Sequence, residues 1–503
     1  MTVSLTANNA ALVAASALYK ATKSHEVSLE RLATGIRINS GKDDPGNLHK
    51  ISRLASETRG IQMGIQNALE FQSILEIADS TNVEISNKLQ SLREKSILAM
   101  NSTYTVQDRA DLQIDAAQTI AGADQMATVA AYNNQSLTDG TFTSKTISLG
   151  DATADQITVS IESSKTAALG QYYISGTSHL KVAASNDTSA VTDVTSQTLS
   201  ITGKANASVS ITTGSSAKTA AAAINATTST TGVSATASTT LKIDTLANLT
   251  SGKTVSFKIG STQIASALVT SNDLTALATS INLSTASTGV TAVVGSSNSE
   301  LLLSNTDGSD ILIDDFLTTN TDDLSASIQV TAVNSRTGAE VGSAVSLYHV
   351  INSTRQASID SVIAIGQVEI GYHKTFSMTG GASTSTLLAQ SNTVASEFVS
   401  TIDISTQSGA TAAVRVLDSA LTKISEVRAS IGAVSSRLDS ATDFLTSINI
   451  PLSVSLSHLK DTDFAEETLN LTKSQLIRDN AAAMLAQANS SMASIQEKIL
   501  GGL

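Results

Sequence analysis

The side chains that could do chemistry are few and scattered. Six histidines, at positions 25, 49, 179, 349, 373 and 458, include no HExxH and no pair at ligand spacing. The chain has no cysteine, so disulfides and thiolate metal sites are excluded. Any zinc or copper centre would have to assemble from distant single histidines. No P-loop, no GxSxG elbow and no GxGxxG opening a helix after a strand occurs. Two acidic runs, NTDGSDILIDD at 305–315 and TNTDDLS at 319–325, lack the spaced carboxylates and closing Glu of an EF-hand and read as hairpin turns. Asp43 and Asp44, side by side between Lys42 and Pro45, read as braces of a turn instead of an acid–base pair. The expectation is a protein without catalytic machinery and without a cofactor or metal.

Composition points the same way. A net charge of −13 argues against nucleic acid and against an anionic membrane surface as partners. No stretch approaches 18 uninterrupted apolar residues, so no segment is expected to insert in a membrane. Aromatics are only 3% and tryptophan is absent, so the core must be built from Leu, Ile, Val and Ala. Such a core suits close helix packing better than a pocket for a flat cofactor. The opening MTVSLTANNAALVAASAL has no basic residue before Lys20, and Asn8 and Asn9 interrupt its apolar run, which argues against a cleaved signal peptide.

The elements that must position these residues fall into three stretches. Residues 1 to about 135, and about 400 to 503, carry helical periodicity; some 260 residues rich in Ser, Thr, Gly and Val lie between them, with alternating runs such as TVSFKIG. The clearest seam is Val414, Leu417, Leu421, Ile424, Val427, Ile431, Val434, Leu438, Ala441, Leu445, Ile448 and Leu452, at steps of three or four. At about 1.5 Å per residue it predicts a rod of roughly 55–60 Å. Ile61, Ile65, Ala68, Leu75, Ala78, Ile85, Leu89 and Leu92 give a matching seam. Ile114, Ala117, Ala121 and Met126 suggest a third helix, after a loop at Asn101-Ser102-Thr103 and a start at Thr105 or Gln107-Asp108. The outermost segments, 1–33 and 464–500, are alanine-rich helices that would be marginal alone in water, a first hint of assembly.

The middle contains a repeat. AINATTSTTGVSA at 223–235 aligns with SINLSTASTGVTA at 280–292, sharing Ile-Asn and Thr-Gly-Val. Two copies are too few for a solenoid and read as two small α+β modules in tandem, near 197–240 and 241–318. The fold class is therefore α+β and multidomain: long coiled-coil-like helices from paired N- and C-terminal segments, with β-rich outer domains inserted.

Several motifs, in order, carry a family resemblance. RLATGIRINSGKDDPGN at 31–47, LQSLREKSILAMNST at 89–103, STIDISTQSGA at 400–410, ALTKISEVRASIGAVSSRLDSA at 420–441 and LAQAN at 485–489 resemble the signatures of bacterial flagellin, the subunit of the flagellar filament. The likeness covers about the first 175 and last 100 residues, and the repeated modules resemble the hook-IN motif. It implies that the chain ends pair as helices lining a central channel (1–44 plus 459–503) and that the long helices form a surrounding tube (45–178 plus 400–458). The variable middle (179–399) would project outward.

The resemblance further implies an extracellular homo-oligomeric filament for swimming. The subunit would be exported unfolded by the flagellar type III system and polymerise beneath a cap protein. Hook–filament junction proteins would be its neighbours, and a cytosolic export chaperone would hold the C-terminal helix beforehand. Arg31, Arg37, Asn39, Lys42, Asp43, Asp44, Pro45 and Pro451 would lie at the assembly joint between inner helices and tube. Both prolines of the chain are expected to break helices there.

The chain departs from the family pattern at two places. Pro45-Gly46-Asn47 follows KDD where the family usually has small residues, and a DDP there is shared with hook–filament junction proteins. At the family's surface for a vertebrate Toll-like receptor, this chain has Ser91, Lys95 and Asp115, while Arg93 and Glu94 are kept. The junction protein is the nearest competing reading; a β-rich adhesin on a helical stalk and a middle domain with enzymatic activity are more distant ones.

Overall fold

A computed structural model describes residues 8–150, 156–183, 189–247, 253–265, 267–270, 273–295, 298–318, 327–348, 359–380 and 394–500. Its helices are α1 (Asn9–Thr34), α2 (Pro45–Ala99), α3 (Val106–Val129), α4 (Ala217–Asn225), α5 (Thr228–Thr231), α6 (Thr275–Leu283), α7 (Thr285–Thr288), α8 (Gln407–Lys460) and α9 (Phe464–Leu500). Long helices at both chain ends and strands between them make the α+β class expected from periodicity. The chain forms two compact units, one from Met1–Leu75, Ser144–Val159 and Gly432–Leu503, the other from Glu76–Thr143 and Ser160–Ile431.

In the first unit α1 packs antiparallel along α9. The Asn8 side chain caps α1 by accepting from the Ala11 N–H at 3.0 Å, and also donates to the Ala488 carbonyl at 3.1 Å. The buried residues of α1 are Ala14, Ala21 and Ser28; those of α9 are Glu467, Ser474 and Ala481. Both sets recur every seven residues, the period of a coiled coil, but the seam consists almost wholly of small side chains.

In the second unit α2, α3 and α8 share one apolar cluster. Ile85, Leu89, Leu92 and Ala99 meet Ala116 and Ala127, and these meet Ala410, Ala413, Val416, Leu417, Ala420 and Ile424. Ion pairs Arg428–Asp79 at 2.9 Å and Arg93–Asp418 at 2.6 Å run along the same antiparallel pair. A reciprocal capping box between Thr105 and Asp108 starts α3. The face of α3 differs from the expected one: Ala116, Ala123 and Ala127 are buried, while Ile114 is exposed. Alanines let the helix lie close to its neighbours, and a stripe of alanines carries too little hydrophobic contrast to be found by spacing.

Pro451 does not end a helix. It lies exposed inside α8, which continues for nine residues to Lys460, and the chain breaks instead at Asp461–Asp463. On an exposed face the carbonyl left without its N–H partner is solvated, and half-buried Ile448 and Leu452 hold the helix on either side. Pro45 behaves as expected of a first-turn proline and opens α2.

The β-rich part of the second unit is antiparallel throughout. One sheet runs Thr291–Val294, Leu301–Asn305, Ser234–Ala247, Gln367–Tyr372, Gly170–Ser175 and Ala395–Phe398. Fully buried Phe257, Phe316, Leu303 and Ile281 centre one core; Leu199, Ile201 and Ile224 centre another.

The two repeated segments share one hydrogen-bond pattern, residue for residue. Asn225 bonds the backbone of Ala235 in both directions, at 2.8 and 2.7 Å, and Asn282 does the same to Ala292 at 2.8 Å each. Thr228 donates to the Val233 carbonyl, and Thr285 to the Val290 carbonyl, both at 2.8 Å. Gly232 and Gly289 both take left-handed φ at the helix end, +75° and +69°. The Ile-Asn…Thr-Gly-Val spacing is thus a turn in which an amide side chain acts as a strand partner.

Candidate assembly surfaces

The joint of the first unit is built by short backbone bonds. Gly35, at φ +69°, ends α1 with its N–H on the Arg31 carbonyl at 2.8 Å. The chain then pairs with the end of α8. The Arg37 N–H donates to the Lys460 carbonyl at 2.7 Å, the Thr462 N–H donates to the Gly35 carbonyl at 3.0 Å, and Ile36 bridges Asp461. The Arg37 guanidinium also donates to the Leu459 carbonyl at 3.0 Å. One residue therefore satisfies two carbonyls that the end of α8 would leave open, and places a cation at the negative end of the helix.

Both carboxylates of KDD brace turns. One Asp43 oxygen accepts from the N–H groups of Asn39 and Ser40 and from the Ser40 hydroxyl, at 2.8–3.1 Å. Asp44 accepts from the Asn47 N–H at 3.0 Å and the Asn47 side chain at 2.6 Å, the geometry of an N-cap one residue before Pro45. These bonds hold both acids below the usual carboxylate range, led by the Ser40 N–H for Asp43 and the Asn47 N–H for Asp44. Asn39 donates to Thr34 Oγ1 at 2.8 Å, while Lys42 stands exposed. Arg31 meets buried Glu467 at 3.5 Å, and Asp463 caps α9 through the N–H groups of Ala465 and Glu466. The structure thus brings Arg31, Arg37, Asn39, Asp43, Asp44 and Pro45 to one joint. Pro451 lies nine residues before the α8 end of that joint. The partners on the C-terminal side, Glu467 and the 459–463 backbone, carry no sequence signal of their own.

On α1 and α9 the large apolar side chains face away from the seam. Val13 and Leu469 are 71% and 72% exposed, and Leu12, Tyr19, Leu476 and Met484 are also more than half exposed. An open apolar groove runs between Val13 and Ala17 of α1 and Ile477, Ala481 and Met484 of α9.

The positions matched to the receptor surface lie in the second unit and are tied up within it. Arg93 pairs with Asp418, whose hydrogen bond raises its pKa further. Lys95 pairs with Asp115 at 2.7 Å and donates to the Thr119 hydroxyl at 2.9 Å. Ser91 is half-buried and Glu94 exposed.

A further ionic cluster had no sequence signature. Arg336, in the turn between Ser327–Val333 and Glu340–Tyr348, is buried between Glu369 and Glu397 and lies 3.6 Å over the Tyr173 ring. Burial opposes its charge, but the two carboxylates outweigh that and hold it ionised. Arg415 of α8 also reaches Glu369 at 3.3 Å. Among the described residues no group of three or more His, Asp or Glu stands close enough to hold a metal. The 305–315 run is a turn between strands, and 319–325 lies outside the described residues.

The described residues thus present helical chain ends that meet at a capped joint and display apolar faces. Comparison with known proteins gives the family. Residues 5–143 match the bacterial flagellin N-terminal helical region and residues 414–496 the bacterial flagellin C-terminal helical region. B-type flagellin of Pseudomonas aeruginosa is 27% identical over 481 residues, 92% of each chain. Flagellin D of Vibrio cholerae is 24% identical over 495 residues, 97% of each chain. Both chain ends thus match the two helical regions of bacterial flagellin, and flagellins align along more than nine-tenths of the chain. It is a structural subunit of the extracellular flagellar filament and not an enzyme. The structure of flagellar hook associated protein-3 from Legionella pneumophila, 12% identical, covers 82% of this chain and 98% of its own at a TM-score of 0.32; it does not favour the junction reading.

Proposed function

We propose that assembly is driven by the chain ends and keyed by their joint. Residues 1–44 with 459–503 would form the inner tube, 45–178 with 400–458 the outer tube, and 179–399 the projecting part. The observation that supports this is the α1–α9 pair, which buries a stripe of Ala and Ser and turns Leu12, Val13, Leu469 and Leu476 outward. Neighbouring subunits would bury that face. In this reading Arg37, Asp43, Asp44 and Pro45 fix the angle at which α1 hands over to α2, and Arg31 locks α9 beside it. The same apolar C-terminal helix is the segment a cytosolic export chaperone would shield before passage through the type III apparatus. A cap protein would then direct folding at the growing end, and junction proteins would present matching helices at the base.

Electron microscopy of the purified chain, incubated with short filament seeds and a salting-out agent, tests this reading. Long tubes of uniform width are expected; monomers or short caps under every condition would overturn it. We further propose that Ser91, Lys95 and Asp115 make the subunit a weak agonist of the vertebrate receptor. A reporter-cell response as strong as that to a typical enterobacterial flagellin would sink this second point.

A further inference from the structure

The two repeated modules are not equally finished. In the first, the hairpin between Gln197–Thr202 and Asn206–Ile211 folds its tip onto the module's own Thr231–Gly232 turn. The Lys204 N–H donates to the Thr231 carbonyl at 2.7 Å. Gly203 passes so close that a Cβ there would stand 2.2 Å from that oxygen, and the Tyr372 ring covers Gly232. Thr231 is wholly buried as a result.

In the second module the corresponding turn is Thr288–Gly289. Thr288 is only half-buried and Gly289 is exposed. Among the described residues no backbone N–H donates to the Thr288 carbonyl. Leu283, in the place of Ala226, is 81% exposed, more than any other large apolar side chain described. The corresponding hairpin, from Lys253–Ile259 to Thr262–Gln263, turns at Gly260–Ser261. Gly260 donates to the Leu312 carbonyl at 2.9 Å instead, and a Cβ on it would meet nothing within 4 Å. Its φ of +59° accounts for the glycine; its open surroundings leave the tip available.

We propose that the Gly260–Ser261 tip of one subunit docks on the Thr288–Gly289 turn and Leu283 of a second copy, as Gly203–Lys204 docks on Thr231–Gly232 within the first module. The first module shows what such a turn accepts: a glycine-bearing hairpin tip that approaches to backbone contact and supplies an N–H. The two patches differ, so the contact is head-to-tail, and head-to-tail contacts propagate into open helical arrays. That is the symmetry of a filament, and the inference rests on the filament reading, because it needs copies held side by side.

The absence of cysteine gives a clean background for the test. Ser261 and Ser287 are both exposed. Filaments of the Ser261→Cys/Ser287→Cys variant, mildly oxidised, should give a ladder of cross-linked multimers, while dilute monomers and either single variant should not. Intact filaments with no ladder, or an equal ladder from dilute monomers, would overturn the docking and leave the filament assignment standing. Failure to form filaments at all would instead count against the assembly reading. Leu283→Asp supplies a second readout that needs no cross-link: the monomer should melt unchanged, and its filaments should dissociate several degrees lower. Equal filament melting would also overturn the proposal.

Discussion

Phe257, Leu303 and Ile281 of the β-rich middle are wholly buried, whereas Leu12, Val13, Leu469 and Leu476 on the paired chain ends are more than half exposed. Burying a large aliphatic side chain contributes roughly 1.5–3 kcal/mol. The middle has already gained that within one chain. The ends leave it unburied within one chain, and their internal seam of Ala14, Ala21, Ser28, Ser474 and Ala481 supplies little. The difference teaches that apolar content alone does not mark a core. What matters is whether the side chains meet each other or only a future partner.

The sharpest way to break the comparison is to remove one side of it. Deleting residues 464–503 should abolish filaments in electron microscopy and leave a soluble core with the calorimetric transition of the β-rich part. Filaments from that truncation would refute the division of labour. Phe257→Ala should cost about 3–5 kcal/mol in denaturant unfolding, the usual penalty for emptying a filled aromatic site. A comparable loss from Leu469→Ala in the monomer would show the ends to be as well packed as the middle.

Acidity acts with opposite sign on Asp310 of the middle and on Asp43 and Asp44 of the joint. Burial pushes Asp310, beside the Gly366 N–H, up to about 6. Its neutral form is the one the fold favours, so its contribution is present below about pH 4 and is lost as pH rises to about 6. Asp310→Asn should remove this decline, on the order of 2 kcal/mol, in melts taken from pH 4 to 7. Asp43 and Asp44 at the joint run the other way, since their pKa values are lowered. Their contribution is present above the ordinary carboxylate range and is lost only as pH falls through the depressed values. The smallest effect is expected at the exposed pair: Arg93→Ala should leave the monomer's denaturant midpoint nearly unchanged. A larger loss would mean that α2 and α8 depend on their ion pairs more than on Leu89, Leu92 and Leu417.

Much of the helical region was legible in the sequence because large aliphatic residues mark the inward face: Ile85, Leu89, Leu92, Leu417, Ile424 and Leu438 are all buried. The α3 face was misread because its contacts are alanines. Pro451 was misread because a proline's local rule yields when solvent can take the freed carbonyl and packing continues on both sides. The Ile-Asn and Thr-Gly-Val repeat was visible as a pattern, but its cause, an amide side chain bonded to a strand ten residues on, is a three-dimensional fact. The KDD turn braces were readable from side-chain chemistry. Arg336 was not, since Tyr173, Glu369 and Glu397 reach it from three separate strands or strand ends.

A seam that repeats nearly the same small side chain every seven residues carries little information about alignment. Sliding α1 past α9 by one heptad, about 10.5 Å along the axis, would set alanine or serine against alanine or serine again. The register is written at the two extremities instead, by Asn8 on the Ala488 carbonyl and by Arg31 on Glu467. Between those two pins the pair is a vernier without graduations. Loosening both pins would give chains whose paired ends differ in reach by whole heptads, with almost no change in what each helix buries along its length.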